Sequence, residues 1–427
     1  MSLESSFGNS VLENVTCPGC SLLCSDLVIK ISGKEVETIL GACSHGYQMI
    51  KTYGMRGRLR DFTIGLRNVD PEEAIMKSAE ILSSSSRPLI YGFDESSNKA
   101  IELGLKIAEK VNGVFDTPPS ICQPLTPLIA SKYVELGIFE DVLDNADMIV
   151  FWAANPAETN LRHASKYSVM PRGSSVPLGR ENRIVAVVDV RNSWTMKIAQ
   201  HQIRIDLGGD AELIESLDRM YEGKTLRMSR YMKMASSLIN DIRKARYVAF
   251  FIGHGLILNG NVKDILLLIV NILRKIGADR KVTLTPIAEK VNSMGASQIP
   301  YRIYGYSHAL KFSNGCVEHN PISTGVYGGL LRGEFDAALL VKTDPITYLP
   351  LNASRKIPFS KTIVLDYRET ITSSRSLIRI PLQILGVEVD GEVIRSDGVS
   401  VELRRIIEGG SGMIQEEEFL KKLLSYL

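Results

Sequence analysis

A pattern that occurs twice limits the folds open to this chain more than any other feature. Phe151-Trp-Ala-Ala-Asn-Pro156 is followed by Val188-Asp189-Val190-Arg191 and then by Ile203-Arg204-Ile205. In the same order, Val341-Lys-Thr-Asp-Pro345 is followed by Leu365-Asp366-Tyr367-Arg368 and Ile378-Arg379-Ile380. Each copy reads as an apolar strand stopped by Asn-Pro or Asp-Pro, a strand ending in Asp-x-Arg, and a short Ile-Arg-Ile strand. Asn-Pro and Asp-Pro stop strands on their own account, so either copy alone can be mere punctuation. In open α/β sheets, however, ligands bind at the carboxyl ends of strands. An Asp there accepts hydrogen bonds from a ribose or a guanine edge, and the neighbouring Arg meets phosphate with several fixed donors. Two copies in one order suit two nucleotide moieties, or one dinucleotide.

The rest of the chain also favours parallel sheet. Six short apolar runs read as strands: Pro88–Gly92, Met148–Ala153, Ile184–Val190, Tyr247–Gly253, Ala337–Lys342 and Thr362–Asp366. Continuous apolar runs separated by helices mark parallel sheets buried on both faces. Helices are predicted at 72–84, 97–112, 210–222, 229–245, 262–276 and 415–425. At 427 residues the chain exceeds one hydrophobic core, so the fold class is a layered α/β with several subdomains. No G-x-G-x-x-G fingerprint follows a predicted strand. The nearest is Gly253-His-Gly255, with Gly260 placed too late, which argues against a usual NAD or FAD site.

Four of the six cysteines stand at Cys17, Cys20, Cys24 and Cys43, spaced C-x2-C-x3-C-x18-C. Three thiolates so close in the chain can wrap one side of a metal centre, and the fourth must return from further along. Leu27, Ile29 and Ile31 alternate with other side chains, Ser32-Gly33-Lys34 supplies turn chemistry, and Val36 begins a return strand. That hairpin would bring Cys43 back beside Cys24. Four thiolates suit a 4Fe–4S cluster. Structural zinc is the alternative, although zinc ribbons usually pair one C-x2-C with another. Cys122 lies alone in the proline-bracketed Pro118-Pro-Ser-Ile-Cys-Gln-Pro124. A rigid loop there can present a thiolate to a soft metal, yet a lone Cys is more often a small buried hydrophobe. Cys316 has only that second reading.

Lys and Arg total 50 against 48 acidic residues, a formal charge of +2 that gives no support for a nucleic-acid binder. Met1–Asn14 is polar and acidic, without the basic start and apolar stretch of a secretory leader. The most apolar helical run, Ile265–Leu273, lies between Asp264 and Arg274 and is too short to span a bilayer. The expected setting is cytoplasmic, where thiols stay reduced and hold metals more often than they form disulfides.

Together, the cysteine motif, the doubled strand ends and the lone central cysteine resemble the bis-molybdopterin guanine dinucleotide oxidoreductases, and among these the B-type subunit of formylmethanofuran dehydrogenase. Cys17-Pro-Gly-Cys-Ser-Leu-Leu-Cys-Ser-Asp26, Gly41-Ala-Cys43, Phe151-Trp-Ala-Ala-Asn-Pro156, Arg162-His163, Ser165-Lys-Tyr167, Pro171-Arg-Gly173 and Asp189-Val-Arg191 carry the likeness. It continues in order through Gly295-Ala-Ser-Gln298, Phe312-Ser-Asn-Gly315, His319-Asn-Pro321, Arg332-Gly-Glu-Phe-Asp-Ala-Ala338 and Gly391-Glu-Val-Ile-Arg-Ser-Asp-Gly398.

The resemblance implies a molybdopterin oxidoreductase-like fold, with parallel sheets flanked by helices and a small N-terminal iron–sulfur hairpin unit. It implies an iron–sulfur unit over 1–60, mixed α/β parts around the pterin site over 61–145 and 360–427, and dinucleotide-binding subdomains over 146–230 and 231–359. Cys17, Cys20, Cys24 and Cys43 would ligate the 4Fe–4S cluster, and Cys122 a molybdenum or tungsten ion. Asn155, Pro156, Arg162, His163, Arg172, Asp189, Arg191, Gly253, Gly255, Asp344, Pro345 and Asp366 would contact two molybdopterin guanine dinucleotides. In the family, the metal site interconverts carbon dioxide and formate. A separate amidohydrolase subunit joins formate to the amine of methanofuran, and electrons arrive through ferredoxin-type subunits. A small separate subunit supplies the terminal barrel of longer relatives, and this sequence stops near that point.

Three departures fall around the substrate. Gln123 stands where the family has His directly after the metal-ligating cysteine. Asn314 replaces Arg in Phe-Ser-Arg-Gly, and Val317-Glu-His-Asn-Pro321 replaces Pro-Arg-Tyr-Asn-Pro. Gln hydrogen-bonds but carries no proton at neutral pH, and Asn does not attract formate by charge as Arg does. His319 can partly compensate, although a lone His is as often structural. The catalytic candidates are thus Cys122, Gln123, Asn314 and His319. The expected substrate is carbon dioxide, formate or another small oxidised carbon compound. Two other readings stay open: a non-redox scaffold subunit of a formyltransferase/hydrolase-like complex, which has no need of these cysteines, and a zinc-stabilised nucleotide-binding protein.

Overall fold

The computed structural model describes residues 10–123, 125–130, 133–224 and 229–427. Pro124, the far bracket of the Cys122 loop, lies outside the described residues. The chain divides into two compact units. One comprises Met1–Ile121, Lys290–Arg395 and Ser400–Leu427, and the other Cys122–Glu289 with Ser396–Val399. Each is mixed α/β around a largely parallel sheet.

The Cys122–Glu289 unit holds five parallel strands in the order His201–Arg204, Ile184–Asp189, Met148–Trp152, Tyr247–Ile252, Lys281–Pro286. The central strands Met148–Trp152 and Tyr247–Ile252 are buried at every position, as their unbroken apolar composition requires. Helix Val262–Ile276 covers the sheet with a stripe of Ile265, Leu266, Ile269, Val270, Ile272, Leu273 and Ile276. Its charged ends, Asp264 and Arg274-Lys275, complement the helix dipole. Among the described residues no helix is long and apolar enough to cross a membrane.

This unit also contains a structural residue that the sequence does not advertise. Arg183 is 1% exposed and gathers backbone carbonyls: Nε donates to Ala146 O at 3.0 Å and Nη1 to Val169 O at 3.1 Å, with further bonds to Pro171 and Leu143. Burial lowers its guanidinium pKa from the ordinary value, and the four carbonyls keep the charge solvated by dipoles. Arg183→Met leaves those acceptors without donors, at a cost of about 3–5 kcal/mol. The thermal unfolding midpoint should fall by roughly 10 °C, measured by circular dichroism; a shift within about 2 °C would show the carbonyls finding other donors.

In the other unit a nine-stranded sheet runs Cys316–His319, Leu310–Ser313, Val114–Asp116, Pro88–Gly92, Ala337–Val341, Thr362–Asp366, Ile378–Pro381, Thr63–Ile64, Arg67–Asn68. Its five middle strands are parallel and an antiparallel hairpin caps each edge. The same unit carries the expected hairpin near the cysteines, Leu27–Ser32 against Glu35–Leu40, turning at Gly33 with φ +61°. Strand Ser10–Val15 adds to its other side.

The two five-stranded cores are the same architecture. Read from the Ile-Arg-Ile edge, each has the Asp-x-Arg strand next, the Asn-Pro or Asp-Pro strand third, and then two strands joined by a long helix. In one core those last two strands, Pro88–Gly92 and Val114–Asp116, precede the others in the chain. In the other, Tyr247–Ile252 and Lys281–Pro286 follow them. This circular shift is why the compact units depart from the four expected segments. A boundary at 230/231 would cut the five-stranded sheet, and residues 290–359 supply the middle strand of the larger one.

Candidate functional site

At the carboxyl ends of both cores the backbone makes one knot twice. The Asn-Pro and Asp-Pro strands leave through a residue at positive φ, Ala153 at +50° and Lys342 at +49°. Each of those residues donates its N–H to the neighbouring strand at 2.8 Å, Ala153 to Val188 O and Lys342 to Leu365 O. Asn155 Oδ1 then accepts from Thr195 N and Oγ1, at 3.1 and 2.7 Å. Asp344 Oδ1 accepts likewise from Thr372 N at 3.0 Å and from its hydroxyl. The threonine hydroxyls accept from Ala157 N and Ile346 N, two residues beyond Asn155 and Asp344. Asp189 and Asp366 close the next strands, and each takes the N–H two residues on, from Arg191 at 3.1 Å and Arg368 at 3.0 Å. Pro156 and Pro345 start the short helices that follow, where a missing N–H costs nothing.

Three buried polar atoms in these knots have no hydrogen-bond partner, one of them Arg368 Nε, which faces Asp366 Oδ1 at 3.5 Å. Asn155 Nδ2 is a donor on a residue 8% exposed, and Asp366 Oδ2 an acceptor on a residue 0% exposed. Burial raises the carboxyl pKa of both Asp189 and Asp366. Orphans of this kind are rare in folded proteins and mark places where something else completes the bonding.

Sequence reasoning missed a charged network at the end of strand Pro88–Gly92. Glu95 is buried and accepts from Lys290 Nζ at 2.6 Å, Tyr367 Oη at 2.6 Å and Arg368 Nη2 at 3.2 Å. Burial alone would raise its carboxyl, but Lys290 and Arg368 outweigh that and hold it well below the usual range. Burial pushes the adjacent Asp94 up to about 7. The available signal was position, since Asp94-Glu95 closely follow an apolar strand and precede the helix cap Ser97.

Cys17, Cys20 and Cys24 are buried and Cys43 half-buried. Cys17 N–H donates to Cys24 O at 2.8 Å, which closes the loop, and Leu23 turns it at φ +46°. Cys43 caps helix Ser44–Lys51, which approaches through a glycine contact: a Cβ on Gly46 would stand 2.5 Å from Cys17 Sγ, and one on Gly19 2.7 Å from Gly46 Cα. Burial raises the Cys17 thiol, and Cys20, Cys24 and Cys43 each push it further. The four sulfurs therefore share one neighbourhood. Among the described residues, though, no three His, Cys, Asp or Glu side chains are already arranged to grip a metal ion.

Cys122 ends the short helix Pro119–Cys122 and is exposed. Along residues 117–126, Thr117 Oγ1, Ser120 Oγ, Gln123 Oε1 and Thr126 Oγ1 are buried without partners. Asn314, at φ +49°, and Gly315, at +79°, form the two-residue turn between Leu310–Ser313 and Cys316–His319. Asn-Gly is the pair this turn selects, so Asn314 has a backbone reason to be there. His319 stacks on Tyr306 at 4.6 Å, and its Nδ1 lies 2.8 Å from His308 O.

Several of the expected cofactor contacts also have partners within the chain. His163 is 0% exposed, ringed by Phe139, Phe151 and Phe251, with Nδ1 2.9 Å from Ser168 Oγ. Burial drives its pKa down to about 3, and its Nε2 is buried without a hydrogen-bond partner. Arg172 is exposed, and its motif partner Pro171 offers its carbonyl to Arg183. Arg162 is half-buried, with its carbonyl taken by Lys166 N–H. Gly253 and Gly255 give their N–H groups to Trp152 O and Ala153 O. Their missing side chains are explained by the close pass over residue 153, since a Cβ on Gly253 would stand 2.2 Å from Ala153 O. Arg191 is exposed and pairs with Glu158 at 3.3 Å.

This architecture is a known one. The chain shares its fold with a chain of the formyltransferase/hydrolase complex FhcABCD from Methylorubrum extorquens, solved with methylofuran, at TM-score 0.67 and 15% identity over 85% of this chain and 98% of that one. It shares it also with acetylene hydratase from Pelobacter acetylenicus, at TM-score 0.59 and 10% identity over 97% of this chain and 69% of that one. No family model matches the chain. Within that fold, it resembles the B-type subunit of formylmethanofuran dehydrogenase from end to end. The B-type subunit of the tungsten-containing formylmethanofuran dehydrogenase 2 of Methanocaldococcus jannaschii is 29% identical over 97% of this chain and 98% of its own length. Its namesake in Methanococcus maripaludis is 28% identical over the same shares.

Proposed function

We propose that this chain is the metal–pterin subunit of a formylmethanofuran dehydrogenase-type complex, interconverting carbon dioxide and formate. The observation that carries this reading is the likeness to the two tungsten-containing relatives along nearly the whole of both chains. Reduction of carbon dioxide to formate takes up two electrons and one proton, so the protein needs a two-electron centre and a path for single electrons.

The residues present fit those groups. Asn155 Nδ2 offers an unpaired donor and Asp366 Oδ2 an unpaired acceptor to two pterin guanine dinucleotides. Asp189 and Asp344 stand at the matching strand ends. Cys122, which is exposed, would hold molybdenum or tungsten. Cys17, Cys20, Cys24 and Cys43 would hold a 4Fe–4S cluster; burial disfavours the Cys17 thiolate unless a cation is bound beside it. Such a metal site supplies two-electron chemistry at carbon, and the cluster passes electrons singly. Gln123 and Asn314 can hydrogen-bond but carry neither the proton nor the charge that the family has at those positions. The accompanying amidohydrolase, small barrel and ferredoxin-like subunits, a methanogenic one-carbon pathway and a cytoplasmic setting are all part of the same proposal.

A second reading, a scaffold subunit without redox centres, is favoured by the fold match to almost all of the formyltransferase/hydrolase chain. Metal and cofactor analysis of native protein, purified with its partners, separates the two. The redox reading expects about four iron per chain, with molybdenum or tungsten and a pterin guanine dinucleotide. Zinc alone, or neither metal nor pterin, would leave the scaffold.

A further inference from the structure

The doubled knots carry a second repeated feature that the pattern of motifs does not contain. Thr195 lies six positions after Asp189, and Thr372 six positions after Asp366. Each threonine is buried and locked to its Asn155 or Asp344. The residue just before it is in both cases a large apolar side chain left in solvent, Trp194 at 62% and Ile371 at 53% exposed. Scattered exposed hydrophobes need no explanation. Two at the matching position of a doubled motif, each five residues beyond a strand-end Asp, are not scattered. They share that neighbourhood with the partnerless Asn155 Nδ2 in one unit and Asp366 Oδ2 in the other.

The two differ in what they can do. Lys197 Nζ stands 3.5 Å from the Trp194 ring centroid, and the indole stays 62% exposed with that ammonium in place. An indole is a flat platform on which a purine can stack. Ile371 is branched and aliphatic, and offers contact area without stacking.

We propose that Trp194 and Ile371 cover the bases of the two nucleotide arms, with the Trp194 arm bound more tightly because its base stacks on the indole. This rests on the reading of both strand ends as nucleotide sites and assigns to them two residues and an order of affinity.

The test is a titration of GMP into the full chain purified without cofactor, followed by tryptophan emission and by calorimetry. The second tryptophan, Trp152, is 2% exposed and hydrogen-bonded to Asp210, so Trp194 dominates the change. We expect saturable quenching and one tighter site. Trp194→Ala should weaken that site about tenfold or more, and Trp194→Phe should retain most of it. Ile371→Trp should convert the weaker site into a second tight one. Equal affinity in wild type and Trp194→Ala, or binding without quenching, would overturn the stacking while leaving the nucleotide sites intact. Absence of GMP binding in the wild-type chain would remove the nucleotide reading of these strand ends, and this proposal with it.

Discussion

Cys122→Ser is expected to abolish formate oxidation and carbon dioxide reduction while leaving iron content and cluster absorbance unchanged. A serine hydroxyl gives up its proton far less readily than a thiol, and the loss of a direct ligand should exceed the roughly 10–100-fold cost of disturbing a ligand's support. Cys122 is exposed at the end of a four-residue helix, so the substitution removes little packing and the protein should fold. Cys17, Cys20, Cys24 and Cys43 sit in a separate loop and helix cap, which is why the cluster signal should be untouched. Turnover at the wild-type rate would remove Cys122 from the metal. Loss of the cluster signal along with activity would mean that the two cysteine groups are not independent.

Asp366→Asn should give a folded protein with strongly reduced pterin occupancy. The amide oxygen can still accept the Arg368 N–H at the Oδ1 position. The partnerless Oδ2, however, becomes an NH2 group that repels a donor edge of the ligand instead of accepting from it. Loss of one such buried charged bond costs about 1.5–3 kcal/mol, or roughly ten- to a hundredfold in affinity. Full occupancy in the variant would sink the doubled-site argument. A pH signature accompanies it in the cofactor-free protein. Burial raises the Asp366 pKa in the folded state, so the folded chain holds a proton that the unfolded chain has already released. Stability therefore falls as pH rises from the ordinary carboxyl value through the raised one. Asp366→Asn should lose that part of the slope in denaturant titrations.

The strands and helices were legible because each is written in local chemistry. Pro88–Gly92 and Thr362–Asp366 form as predicted, and helix Val262–Ile276 matches its apolar stripe to the residue. The cysteine hairpin was readable from alternation and a Gly turn. Individual polar residues were harder. His163 sits in a motif, but a motif records neighbours in sequence and not that the ring is fully buried with Nε2 unpaired. Gly253 and Gly255 entered only through the resemblance, and the structure adds a local reason for them, since another backbone passes too close for a Cβ.

The sequence alone determined the repeated strand ends and the character of their last residues, since strand-stopping Asn-Pro, Asp-Pro and Asp-x-Arg are local rules. It also carried the cysteine spacing, which no fold is needed to read. Only the tertiary structure decided that the two cores are one architecture joined in shifted order, because strand pairing across a hundred residues leaves no local trace. It alone revealed that Thr195 and Thr372 lock Asn155 and Asp344, and that Arg183 and Glu95 satisfy buried groups far away in the chain. Burial and hydrogen-bond partners are properties of packing, and packing is settled by the whole chain at once.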